Sequence, residues 1–119
     1  MKTAFQFEIF NVGLSPTKGS EQSGVRPCLI VETNAARNRG KTTIVVPFTS
    51  KIEPRTSFDI ILKPDSKNGL SQISKLKFRQ IRVVDKTRLL QKIGAISDAK
   101  IHRQIFAALK LVFDFEQFF

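Results

Sequence analysis

The chain has 119 residues, 41% of them hydrophobic and 25% charged, which describes one ordinary globular domain with no room for a second core. Its 20 Lys and Arg stand against 10 Asp and Glu, so its partners are sought among polyanions: nucleic acid, an anionic membrane surface or an acidic protein. A single cysteine excludes an internal disulfide framework, and a single histidine beside it argues against a Cys/His metal site, so no metal or cofactor is expected.

The opening MKTAFQFEIF lacks a long apolar core and a small-residue cleavage site, so it does not read as a signal peptide. No apolar run approaches the ~18 residues of a spanning helix, and the cytoplasm is the default location. Phe5 to Val12 reads as a strand stopped by Gly13 and Pro16. A polar loop to Gly24 follows, with Gly19 and Gly24 able to take positive φ. Its hydroxyls and amides either hold a ligand or cap turns. Pro27 biases Arg26 to an extended backbone and removes a ladder donor, so a second strand runs from Cys28 to Glu32. Asn34 to Lys41 is a basic turn or a single helical turn.

Thr42 to Phe48 is β-branched and uncharged, as a central strand would be. Lys51 to Thr56 is an exposed connecting loop. Phe58 to Lys63 is a strand, and Pro64 to Gly69 a strong turn. Ser74 to Val84 alternates as one strand with Lys75, Lys77 and Arg79 on one parity, a basic face extended by Arg82, Lys86 and Arg88. Asp85 caps a short turn over Lys86 to Leu89, and Leu90 to Ile96 forms a last strand around Gly94. Ser97 as N-cap, with Asp98 in the first turn, starts a helix that runs to about Val112. Ile101, Ile105, Leu109, Val112 and Phe113 make its apolar stripe. The tail from Phe113 to Phe119 holds four of the 11 Phe and is too apolar for a free solvated end. Five to seven short strands with one C-terminal helix imply a small, strongly curved sheet capped by that helix.

If the strands after Arg26 and before Thr49 pair antiparallel, those two residues meet at one rim of the sheet. A guanidinium donates two parallel bonds to phosphate oxygens and stays charged, and a threonine hydroxyl both donates and accepts. The residues taken alone leave plainer readings open: a surface salt-bridge arginine, a solvated basic face and a solvated loop carboxylate at Glu21. His102 reads as a surface or interface histidine, and Cys28 as an inert core thiol.

The run PTKGSEQSGVRP, a strand, a polar turn holding Asn34 and Asn38, then IVVPFTS, GLS at Gly69 to Ser71 and QIRVVDKTRL from Gln80 resembles the MazF/PemK family of toxin endoribonucleases. The resemblance covers roughly Glu8 to Leu111, includes the Kid-like branch, and implies a mainly β, SH3-like barrel with a C-terminal helix, usually a homodimer. It implies a metal-independent, sequence-selective endoribonuclease of a type II toxin–antitoxin system, acting on single-stranded RNA and neutralised by a cognate antitoxin. The products would be a 2′,3′-cyclic phosphate and a 5′-hydroxyl. In that family the Arg of the RP step and the Thr of the P-x-T-S step are the catalytic pair, which corresponds to Arg26 and Thr49.

An arginine with a pKa above ~12 is a poor base, so Glu21 is the candidate for orienting Arg26 or for taking the proton. Lys18, Ser20 and Gln22 from the loop, Ser50 beside Thr49, and Lys77, Arg79, Gln80 and Arg82 are the candidate RNA contacts. Two departures stand out: Arg79 replaces an acidic residue of the Kid-like branch, and Phe10 stands where Trp is usual. Two readings of other classes accompany this one. They are a non-catalytic, CcdB-like topoisomerase poison acting through the Phe-rich tail, and an SH3-like nucleic-acid-binding module.

Overall fold

The longest strand of the protein is the uncharged, β-branched run Thr42–Thr49, and the sheet is assembled on both of its edges. The computed structural model describes residues 3–21, 24–36, 40–57 and 59–114. In chain order the strands are β1 (Glu8–Gly13), β2 (Val25–Ile30), β3 (Thr42–Thr49), β4 (Asp59–Leu62), β5 (Ser74–Lys77), β6 (Arg82–Asp85) and β7 (Leu89–Ala95), followed by helix α1 (Ala99–Phe113). All pairings are antiparallel. The sheet order is β4-β5-β3-β2-β1-β7, with β6 also on β3, so the barrel stays open between β4 and β7.

One edge of β3 pairs with β2, Cys28 opposite Pro47 and Ile30 opposite Val45. The other edge is shared: Phe48 and Thr49 face Leu76 and Lys75 of β5, whereas Thr42 to Val45 face Asp85 to Arg82 of β6. Pro47, which lacks an N–H, falls where one partner gives way to the other. The single strand expected from Ser74 to Val84 is therefore two strands. A 3₁₀ turn over Phe78–Gln80 separates them, and the register against β3 slips by three residues across it. Phe78 buries its ring completely and anchors the turn, while Arg79 is pushed outward. The slip carries Arg82 onto the face shared by Lys75 and Lys77.

Alternation along the strands divides the core in two. Ile9, Leu29, Val46, Phe48, Leu76 and Phe78 face α1, which closes this cluster with Ile105 and Ala108. Phe10, Val12, Cys28, Ile30, Val45 and Val84 form the cluster on the opposite parity. Along α1 the stripe Ile101, Ile105, Leu109 and Val112 packs as its spacing predicts, but Phe113 leaves it and is 51% exposed. The cap sits one residue later than expected: the Asp98 carboxylate, not Ser97, accepts from Lys100 N–H at 2.8 Å. Asp85 also caps, accepting from Thr87 N–H and its hydroxyl. No helix among the described residues is long and apolar enough to cross a membrane.

Two local features shape the ends of the fold. The first strand starts at Glu8 rather than Phe5, because Phe7 adopts a positive φ of 73°. That conformation is held by Phe7 N–H on the Ile30 carbonyl at 2.8 Å, by Ile96 N–H on the Phe7 carbonyl at 2.9 Å, and by the ring stacking on His102 at 3.7 Å. His102 is thus half-buried against Phe7, with Nε2 2.6 Å from the Ile96 carbonyl, instead of a plain surface residue. At the turn before β5, Gly69 has a φ of +70° and a Cβ there would collide with the Ile93 carbonyl, so only glycine fits. Phe58, the basic turn at 37–39 and the tail from 115 to 119 lie outside the described residues.

Candidate active site

The chain ends of β2 and β3 that carry the Arg-Pro and Pro-Phe-Thr steps lie side by side, as the β2–β3 register requires. Arg26, Thr49 and Ser50 line one recess of about 210 Å³, together with Leu70, Ser71 and Gln72. Thr49 is buried, and its Oγ1 accepts from Lys51 N–H at 3.2 Å, which leaves the hydroxyl proton for an acceptor in the recess. Arg26 is half-buried at the start of β2.

On its other side Thr49 opens into a larger recess of about 470 Å³, whose walls include Ser20, Lys77, Arg79 and Gln80. A third recess, of about 350 Å³, shares Arg79 and Gln80 and adds Glu21 and Arg82. The three recesses adjoin, the first two sharing Thr49 and the last two Arg79 and Gln80, and together they are termed the groove. The groove gathers most of the residues singled out from the sequence. Lys18 lines none of the three recesses; it is exposed, and its carbonyl accepts from Glu21 N–H at 3.2 Å. Gln22 lies outside the described residues.

The basic face does not turn wholly toward the groove. Arg82 Nη1 donates to the Leu14 carbonyl at 3.3 Å, and Arg88 Nη1 donates to the carbonyls of Gly13 at 3.0 Å and Ser15 at 2.6 Å. These two side chains clamp the stem of the loop that carries Lys18, Ser20 and Glu21. Lys75 and Lys86 are buried. Two groups at the groove were not anticipated from sequence, Glu53 and Asp59, both in its larger recess. A carboxylate in a mixed-charge loop, as at Glu53, or at the head of a short strand, as at Asp59, carries no mark that distinguishes it from a solvated one.

Beneath the groove, burial pushes the Cys28 thiol up to about 12, although the charges of Arg82 and Arg26 pull it down. At neutral pH it is protonated and no nucleophile. Among the described residues no group of three His, Cys, Asp or Glu side chains is placed to hold a metal ion. What remains chemically is a guanidinium and a hydroxyl on one recess, with further cations along the groove. That set suits a phosphodiester.

Residues 5–113 match the family described as PemK-like, MazF-like toxin of type II toxin–antitoxin system. The endoribonuclease MazF of Staphylococcus saprophyticus is 33% identical over 94 residues, spanning 79% of this chain and 78% of its own. Among solved structures, the fold is similar to MazF of Deinococcus radiodurans, with a TM-score of 0.78 at 18% identity over 96% of this chain and 99% of that one. It is also similar to an endoribonuclease from Mycobacterial species in complex with its cognate antitoxin, with a TM-score of 0.72 at 19% identity over 96% of each chain. At such identities the structural likeness establishes the fold, and the sequence matches establish the family. The chain belongs to the PemK-like, MazF-like toxins of type II toxin–antitoxin systems, and its enzyme class is endoribonuclease.

Proposed function

We propose that the groove binds single-stranded RNA and that Arg26 and Thr49 act on a phosphodiester held in the recess they share. The ribose 2′-oxygen attacks the adjacent phosphorus and gives up its proton, and the bond to the 5′-oxygen breaks. The leaving oxygen takes up a proton, which gives a 2′,3′-cyclic phosphate and a 5′-hydroxyl without a metal ion. Arg26 offsets the charge that grows on the phosphorane oxygens, and the Thr49 hydroxyl donates to the same phosphate. Glu21 lines the third recess with Arg79 and Arg82. We assign its carboxylate to orienting guanidinium groups rather than to proton transfer. Lys77 and Arg79 hold phosphates, Arg82 holds the loop that carries Lys18, while Ser20, Gln22, Ser50 and Gln80 supply the polar contacts that select sequence.

The observation that carries this reading is that Arg26 and Thr49 line a common recess, and that Thr49 also lines the adjoining recess walled by Lys77 and Arg79. An extended acidic antitoxin segment suits the same cations, and neutralisation by a cognate antitoxin follows for this chain too. The toxin works in the cytoplasm as a homodimer, which sedimentation checks. Mixed-sequence RNA incubated with purified protein in EDTA tests the chemistry. Cleavage at a defined sequence with cyclic phosphate ends is expected, falling by about 10²–10³-fold in Arg26→Ala and clearly in Thr49→Ala. RNA binding without cleavage would make the protein a binding module. Inhibition of gyrase with intact RNA would make it a topoisomerase poison. Either result overturns the reading.

A further inference from the structure

Lys75 stands on β5 directly opposite Thr49 of β3 and opposite Ile61 of β4. Cross-strand partners share a face, so Lys75 is set on the groove side beside Thr49. A lysine in that position would ordinarily extend into solvent, yet it is only 6% exposed. Its Nζ donates to the Pro54 carbonyl at 2.6 Å and lies 3.4 Å from Asp59 Oδ2. The same carboxylate oxygen accepts from Thr56 N–H at 2.9 Å and from Thr56 Oγ1 at 3.2 Å. One buried ammonium and one carboxylate 10% exposed thus tie Pro54, Thr56 and the start of β4 to β5. The tied segment supplies Lys51, Glu53, Pro54 and Thr56 to the wall of the larger recess.

A buried ammonium needs partners, because removing it from water is costly unless charge and hydrogen bonds replace the lost hydration. Here the loop is the partner. Its own Arg55–Glu53 pair, 3.1 Å apart, is largely exposed and holds it only weakly. We propose that Lys75 and Asp59 form an internal latch that positions the loop over residues 51–57 as one wall of the RNA groove. Lys75 is a positioning residue: it acts on RNA through the loop and does not touch phosphate. The inference rests on the groove taking RNA, but the latch has a readout that does not need RNA.

That readout is amide hydrogen exchange on the full chain, comparing wild type with Lys75→Met, Asp59→Asn and Lys77→Met, alongside cleavage kinetics over a range of salt. In Lys75→Met the amides of residues 51–57 are expected to exchange about tenfold faster or more through a local opening that low denaturant does not change, whereas those of β2 and β3 follow only the loss of global stability. KM rises about tenfold while kcat stays within about twofold, because the loop binds and does not react. The salt dependence of binding stays that of wild type. In Lys77→Met it flattens by about 0.7 in slope, the signature of one lost phosphate contact on a single strand. Asp59→Asn moves the loop in the same direction by less, and it carries the test if Lys75→Met fails to fold. Unchanged loop exchange in every folded latch variant overturns the latch. A flattened salt slope in Lys75→Met makes Lys75 a phosphate ligand and overturns the indirect role. If wild-type protein cleaves no RNA, the exchange result still decides the latch, and only the RNA reading falls.

Discussion

Between Ser74 and Arg88 six cationic side chains of the same sequence character meet two fates. Lys77 and Arg79 line the groove and make no side-chain hydrogen bond or ion pair among the described residues. Lys75, Arg82 and Arg88 spend donors on backbone carbonyls of two different loops, and Lys86 is buried. The β1–β2 loop is held by arginines and the β3–β4 loop by a lysine, and both loops border the same groove. A net charge of +10 therefore overstates the charge that faces a polyanion. Part of it holds the loops in place, and part of it faces the groove.

This division predicts different losses. Lys75→Met leaves Asp59 without its cation and should cost the most, about 3 kcal/mol of stability in urea unfolding. Arg88→Gln removes a charged donor from two carbonyls and should cost about 2 kcal/mol, with faster proteolysis at Lys18 in the released loop. Lys77→Gln and Arg79→Gln should leave stability within about 0.5 kcal/mol and instead weaken RNA binding, most visibly at low salt. If an outward cation proved as costly to stability as Lys75, the division would fail.

The smallest effect lies beneath the arginines. Cys28 keeps its proton in the folded protein up to about 12, whereas the unfolded thiol ionises near its ordinary value of 9.0. Its contribution to stability is complete below that ordinary value and is lost as pH rises toward the folded one. At pH 8 the native thiol should resist iodoacetamide except through unfolding. Arg82→Gln should push the thiol pKa further up, since the arginine pulls it down.

Much of the architecture was legible because it rests on periodicity. The β-branched run to Thr49 and the stripe from Ile101 to Val112 each have one spacing that only one element satisfies. The break inside Ser74 to Val84 was hidden, because polar and apolar residues go on alternating through the 3₁₀ turn. The positive φ of Phe7 was hidden as well, since contacts with Ile30, Ile96 and His102 impose it from elsewhere in the chain. At the groove, juxtaposition of Arg26 and Thr49 followed from antiparallel pairing alone. Whether a lysine points into a loop or into solvent did not, because Lys75 and Lys77 share a parity and differ only in what folds over them.

The most direct test of the groove as a site of phosphoryl chemistry is cleavage of an RNA oligonucleotide carrying one 2′-deoxy sugar at the scissile position. The account predicts that this oligonucleotide binds with unchanged affinity and stays intact, while the all-ribose version is cut. Cleavage of the deoxy-substituted linkage at a comparable rate would contradict it.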